Sequence, residues 1–342
     1  MTVEFHPFLS QSDILDGDVE IQPQEIPNGS NHYARITHGD SSYFLKLYDW
    51  DRQSADWHTH SKHILCKIDQ STPEAWEWFG TEHEYQTLKQ VNKRLTESTD
   101  PSIIIPSPVE LLGDSAILMH CLPDHEVLFG NRGLLWGMHL FHRENRRKRV
   151  ERTAQALAKL QTHTIQQMSV DLGHYCGSHA ELAEDSTLPQ YIPEFLREFD
   201  YTQLPPLPAV RVHGDFTPRN IIISETHDVG FVDWPLSIVS HPLVDVHEFI
   251  CHLFRWRTYP GTASSYIQET ERAFRSHYLA ESEFDIPRES YDLTRLTALI
   301  RNYWKFVDKN SGKKKSINQY TFQTAVETEI TRIVSNLGGV TT

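Results

Sequence analysis

Residues 212–234 restrict the fold more than any other stretch. They read VHGDFTPRNIIIS, then a polar turn, Glu225-Thr-His-Asp, then VGFVDW. Two short apolar runs joined by a polar turn form a hairpin, and the isoleucines Ile221 to Ile223 anchor it in a core. Ahead of the first strand, Gly214 and Pro218 break the chain into a turn that carries His213, Asp215 and Asn220. Strand pairing then returns a second carboxylate, Asp233, beside Asp215 although it lies 18 residues further on.

A chain of 342 residues exceeds the size at which single cores usually split, so two lobes are expected. With 46 acidic against 32 basic side chains the net charge is −14, which excludes general binding to nucleic acid or to an anionic membrane. Cys66, Cys121, Cys176 and Cys251 are scattered and form no C-x-x-C pair, as expected of reduced thiols. The N-terminus lacks the basic-then-apolar pattern of a signal peptide, and no run approaches the ~20 apolar residues that span a bilayer. A cytoplasmic protein without a membrane partner is the expectation.

From Val19 to Tyr48 the pattern is of three short strands, 19–22, 32–37 and 43–48, in an antiparallel meander. Residues 73–95 read as a helix, with Tyr85, Leu88 and Val91 on one face, and the apolar runs from Ile103 to Met119 return to strand. Leu122-Pro123-Asp124 ends them and marks a lobe boundary near 122. Beyond it the spacing is mainly helical, at 150–160, 266–279 and 291–307, with the hairpin as the exception.

A phosphoryl-transfer site has little covalent work for the protein; it must orient a hydroxyl, hold a metal and neutralise phosphates. Protein kinases use H-R-D-L-x-x-x-N for the first two tasks, and His213-Gly-Asp215 followed by Asn220 has that spacing. The tripeptide alone means little, because His38-Gly39-Asp40 also occurs. Five residues after Asp40 stands Leu45, so the first copy reads as a turn before a strand.

Together, His213-Gly-Asp215, Asn220, Asp233-Trp234 and the later Ser240-His-Pro-Leu-Val-Asp245 resemble the aminoglycoside phosphotransferase and choline kinase superfamily of small-molecule kinases. The likeness runs from about Glu20 to Leu253 and is densest over 212–245. It departs from the family pattern at Ser240-His241, where a small-acidic pair is usual, and at Pro235, where many relatives place a third acid.

The resemblance implies an α+β, protein-kinase-like fold: a small antiparallel-sheet lobe, about 1–121, over a larger, mainly helical lobe, about 122–342. It implies that ATP and Mg²⁺ bind between them and that a small-molecule hydroxyl is the acceptor, of the aminoglycoside, sugar or amino alcohol class. Asp215 would be the base, Asn220 and Asp233 the metal ligands, and His213 and Asp245 braces. Lys46, the only basic residue in its apolar strand, would grip phosphates with a helix glutamate, either Glu84 or Glu82. Gly29, Ser30 and Asn31 would cover the phosphates, and Met119, His120 and Leu122 would form the hinge against adenine.

Arg219, Trp234, Trp256 and Trp304 stand as substrate contacts, with core packing as the alternative for Trp256 and Trp304. His58, His60, His63 and Cys66 match no common zinc spacing. The basic run 143–149, just ahead of a helix, fits either an anionic substrate or a solvated face, and Lys313 to Lys315 read as a solvated loop. Glu269, Glu271 and Asp285 fit a cationic substrate or an ordinary acidic surface. The rival functions are a nucleotide-binding pseudokinase scaffold and a protein kinase. The short path from Asp233 to Asp245 leaves the latter no activation segment.

Overall fold

The computed structural model describes residues 4–24, 31–48, 80–98, 102–122, 125–128, 143–226, 228–258, 264–308 and 317–338. After a short helix α1 (His6–Leu9), strands β1 (Glu20–Gln24), β2 (His32–His38) and β3 (Ser41–Leu47) form the expected antiparallel meander. Gly39, in the left-handed region at φ 57°, makes the β2–β3 turn, so His38-Gly39-Asp40 is a turn and nothing more. Strands β5 (Pro108–Leu112) and β6 (Ala116–His120) complete a sheet of order β1-β2-β3-β6-β5.

The two-residue period sorts the side chains of this sheet. Leu45, Leu47, Ala116 and Leu118 face α1 in one cluster with Phe5 and Leu9. Tyr48, Ile117 and Met119 face the other way, onto Leu88, Val91 and Leu95 of helix α2 (Thr81–Ser98). Lys46 shares the side of Tyr48, so the strand aims its one cation at the helix.

The strand β4 (Ile103–Ile104) does not join that sheet. It pairs in parallel with β11 (Val229–Phe231), which pairs antiparallel with β10 (Ile221–Ser224) and leaves β7 (His125–Val127) on the far edge. The hairpin is thus sandwiched as its apolar sequence demands. Ile221, Ile223, Phe231 and Trp234 lie in one continuous core with Leu88, Val150 and Phe249.

Helices α3 (Arg143–His163), α4 (Leu172–Glu184), α5 (Tyr191–Glu198), α6 (Leu243–Arg257), α7 (Ser264–Glu281), α8 (Arg288–Tyr303) and α9 (Ile317–Asn336) build the rest. A third sheet, β12 (Ile238–Ser240), β9 (Leu207–Val212) and β8 (Ile165–Val170), was not legible in the sequence. The polar run Gln166-Gln167 in β8 shows no alternation that would flag a strand.

Helix α6 is the central post, buried from Leu243 to Phe254. Its Phe249 stacks on Phe274 of α7 with ring centres 4.1 Å apart, and neither ring reaches solvent. Phe274→Ala is therefore expected to cost about 3–5 kcal/mol, read as a fall in the urea midpoint with little change in slope.

Candidate active site

The catalytic loop is fixed by backbone chemistry before any side chain acts. Gly214 sits at φ 82°, and a Cβ there would lie 2.0 Å from the Leu236 carbonyl oxygen, so only glycine fits. The carboxylate of Asp245, buried at the first turn of α6, accepts the His213 N–H at 2.8 Å and the Gly214 N–H at 3.0 Å. Burial pushes that carboxyl above its usual value against these two donors. His213 donates from Nε2 to the Val232 carbonyl at 2.9 Å and accepts the Asp215 N–H on Nδ1 at 3.3 Å, which ties the loop to the returning strand.

Asn220 closes the loop from the other end. Its Nδ2 donates to the Asp215 carbonyl and to Asp215 Oδ2, each at 2.9 Å, and its carbonyl accepts the Val232 N–H at 3.0 Å. Arg219 also reaches Asp215 Oδ2, at 3.3 Å. Burial raises the Asp215 pKa, but Arg219 and then Lys305 oppose it, and the balance leaves the carboxyl below its ordinary value. Asp215 thus accepts through Oδ2, and its Oδ1 has no hydrogen bond among the described residues.

Across the hairpin, Asp233 is the one non-glycine residue in the left-handed region among the described residues, at φ 68°. A conformation of this kind costs on the order of 1–3 kcal/mol and persists where surroundings hold it. Here Lys46 Nζ holds it, 2.6 Å from Asp233 Oδ1 and 2.6 Å from Glu84 Oε2. Glu84 also accepts the Tyr48 hydroxyl on Oε2 and the Trp234 N–H on Oε1 at 2.9 Å. Burial lowers the Lys46 pKa, but Asp233 and Glu84 outweigh it and hold the ammonium well above its usual value.

The choice between two glutamates is settled by rotation: Glu84 is buried on the Leu88 face of α2, and Glu82 is exposed. Tyr48 escaped the sequence reading. Its signal was present, because it lies two residues after Lys46 on the same strand face.

Mg²⁺ asks for oxygen ligands. Asn220 turns its side-chain nitrogen to Asp215 and leaves its Oδ1 without a hydrogen bond among the described residues, and Asp233 meets Lys46 through Oδ1 rather than Oδ2. These oxygens stand at adjoining ends of β10 and β11, and the donor set fits the ion.

With this geometry in hand, residues 24–288 match the phosphotransferase enzyme family, APH. The chain belongs to that family. Three solved structures share its fold at 12% identity. They are an aminoglycoside phosphotransferase from Alicyclobacillus acidocaldarius (TM-score 0.54, 99% of this chain and 98% of that one), the choline kinase LicA from Streptococcus pneumoniae (0.52, 92% and 93%) and the macrolide 2'-phosphotransferase MphH from Brachybacterium faecium (0.51, 94% and 97%). LicA is also solved in complex with AMP, at 11% identity, TM-score 0.50 and 95% and 96% coverage. No curated protein matches the chain in sequence. The family, the enzyme class and the kinase-like fold inferred from residues 212–245 are therefore right.

Other expected site residues of this phosphotransferase fare unevenly. Met119 and His120 close β6, where the N–H groups of His120 and Cys121 already donate to Ser107 and Ser42 at 2.9 and 3.3 Å. Leu122 follows directly, with no such bond among the described residues. Asn31 lies at the start of β2 near Tyr33, whereas Gly29 and Ser30 fall outside the described residues, as do His58, His60, His63, Cys66 and Lys313 to Lys315.

Trp234 does not reach a substrate. It is wholly buried, its indole N–H bonds the Phe231 carbonyl at 2.8 Å, and its ring lies 4.7 Å from that of His213. Trp256 and Trp304 are half-buried beside the core. The basic run 143–149 is not ahead of a helix but forms the first two turns of α3, where Arg147, Lys148 and Arg149 pair with Glu151, Glu144 and Glu126. Glu271 is engaged by Arg295 at 2.8 Å, which removes it as a free partner for a cation.

Two substitutions test this construction. Gly214→Ala is expected to lower the melting temperature and to abolish activity, since Leu236 backbone has nowhere to go. Lys46→Met leaves Glu84 and Asp233 without their cation, a loss of about 3–5 kcal/mol for a buried pair. The Lys46 contribution is complete below the ordinary lysine pKa and fades only as pH climbs toward the raised folded value. The Lys46→Met deficit in melting temperature should therefore be constant from pH 6 to pH 9.

Proposed function

We propose that the protein transfers the γ-phosphate of ATP to a hydroxyl of a small molecule, in a cleft between residues 1–121 and 122–342. The observation that carries this is one hairpin with the two halves of a phosphoryl-transfer site at its end. Asp215 and Asn220 enter it, and Asp233 leaves it already bonded to Lys46 and Glu84. That LicA, which shares this fold, was solved in complex with AMP supports a nucleotide ligand.

Asp215 Oδ1 accepts the hydrogen of the acceptor hydroxyl and points its oxygen along the line of attack. As the bond from that oxygen to the γ-phosphorus forms, the bond to the bridging oxygen breaks, ADP leaves with the electron pair, and the proton passes to Asp215. A carboxylate below its ordinary pKa is a weak base, so orientation is its main contribution and the proton moves late. Lys46, fixed by Glu84, offsets charge on the nucleotide phosphates. Asn220 and Asp233 would hold Mg²⁺, which would supply further neutralisation of phosphate charge.

A protein substrate is disfavoured by the path after Asp233. Only a tight turn and β12 separate it from α6, which begins at Leu243, so no activation segment intervenes. A scaffold is disfavoured, because Asp215, Asn220, Asp233, Lys46 and Glu84 are joined by hydrogen bonds at the end of one hairpin, which a scaffold does not require.

Asp215→Asn is expected to lower turnover about 10²–10⁴-fold while the protein stays folded and binds Mg-ATP; near-full activity would remove Asp215 from its role. A second measurement follows from electrostatics. Arg219 helps hold Asp215 below its usual value, so Arg219→Ala should move the acid limb of the kcat/KM profile to higher pH.

A further inference from the structure

Away from the hairpin, helices α7, α8 and α9 line a hollow of about 480 Å³, a volume in the range of small-ligand sites. Its charged residues are Arg275 of α7, Arg288 and Asp292 of α8, and Arg332 of α9, so three guanidiniums face one carboxylate. Leu279 and Ile286 add an apolar wall. Tyr291 is shared with an adjoining recess, whose lining includes Glu271, Arg295 and Glu329.

Each acid of this region already has a cation. Glu271 and Glu329 close on the buried Arg295 at 2.8 and 3.1 Å, Glu329 also takes Arg332 at 2.9 Å, and Asp292 stands 3.7 Å from Arg288. Arg257 approaches Glu271 at 3.7 Å and lies over the Phe254 ring. Even without it, four arginines meet three carboxylates. Arg275 is the one left over: it reaches no carboxylate among the described residues, and its guanidinium stands 5.8 Å from the centre of the Tyr291 ring. Other acids nearby do not fill the gap. Glu281, Glu283 and Asp285, at the junction of α7 and α8, line neither hollow, and Glu289 lines a separate groove with Tyr191 and Phe195.

Two further groups lack an acceptor. The Tyr291 side chain is only 6% exposed, and its hydroxyl has no hydrogen-bond partner among the described residues. Burial pushes that hydroxyl up to about 12 against the pull of Arg295 and Arg275, so at neutral pH it is a donor. A buried donor that meets no acceptor is uncommon and costly. Helix α8 starts at Arg288 after Pro287 with no side-chain cap, and runs 16 residues from the hollow to a π-helical turn at Trp304–Asp308. Its first N–H groups are therefore without a capping oxygen.

An anion would serve all three groups, since guanidinium forks and helix N-termini both favour one. A phosphate monoester suits them better than a carboxylate. It carries nearly two charges and three acceptor oxygens, enough for Arg275, the Tyr291 hydroxyl and the start of α8 together.

We propose that this hollow binds a phosphorylated small molecule, with Arg275, Tyr291 and the start of α8 on the phosphate and Leu279 and Ile286 against the organic part. None of these residues belongs to the arrangement of Lys46, Glu84, Asp215 and Asp233, and the site does not depend on the phosphotransfer reading.

The test is titration calorimetry of the full chain at fixed ionic strength with glycerol 3-phosphate, glucose 6-phosphate and AMP. Glycerol, glucose and lactate serve as probes without phosphate. At least one phosphorylated probe is expected to bind with a Kd below about 1 mM and to lose about tenfold or more in Arg275→Gln. The probe that shows this loss identifies the organic part. Tyr291→Phe, which keeps the ring, should weaken the same probe about threefold or more. Arg275 is exposed and holds no ion pair, so Arg275→Gln should melt as the parent protein does.

Three results would each overturn the assignment: no binding of any phosphorylated probe, lactate or an unphosphorylated parent binding as tightly as the phosphorylated probe, or a Kd unchanged in Arg275→Gln for every probe that binds. The last would put the phosphate elsewhere on the protein.

Discussion

The site depends on one ion contact, the 2.6 Å approach of Lys46 to Asp233, residues 187 positions apart. Lys46 comes from the meander and Glu84 from α2, while Asp233 comes from the hairpin that runs on through β12 into α6. The ammonium holds two carboxylates that would otherwise repel each other. The left-handed backbone at Asp233 is part of the same arrangement: it sends the carboxylate to Lys46 and the following N–H, that of Trp234, to Glu84. Strain at one residue is thereby balanced by bonds to two elements distant in sequence. A buried triad of this kind adds little net stability, because burying its charges offsets their attraction. Its value is registry between the sheet and the hairpin.

A second carboxylate does for the catalytic loop what Lys46 does for the hairpin. Asp245 accepts two successive backbone N–H groups, which requires His213 and Gly214 to turn both donors the same way, and the positive φ at Gly214 permits this. Gln161 and Tyr278 extend the network, as Gln161 donates to the Pro242 carbonyl at 2.9 Å and accepts the Tyr278 hydroxyl at 2.7 Å. The loop is thus positioned by α3, α6 and α7 together, and Asp215 inherits their rigidity.

Much of this was legible because it is local. The meander follows from alternation and turn residues, the hairpin from two apolar runs around Glu225, and Lys46 from being the lone cation in its strand. What failed is long-range or depends on rotation. Sequence could not rank Glu84 over Glu82, since both lie on one helix and only packing of Leu88 fixes which side is buried. It offered Trp234 as a substrate contact because an indole after a site aspartate looks available, whereas the pleat turns it under His213. It read the Ile103 run as strand but could not name its partner, since Ile103 and Ile104 pair with Val229 and Gly230, 126 positions further on. The π-helical turn at Trp304 leaves no trace in a 3.6-residue period.

Net charge shows the same limit in its sharpest form. At −14 the chain as a whole suggests a cationic partner, but exposed charges are screened beyond about 8 Å at physiological ionic strength. Several acids also have cations of their own: Glu271 and Glu329 meet on Arg295, and Glu248 is matched by Arg301. What an acceptor encounters is set by the few groups within a Debye length of Asp215 rather than by the total. Global charge governs how molecules approach this protein; the neighbours of Asp215 govern which of them can stay.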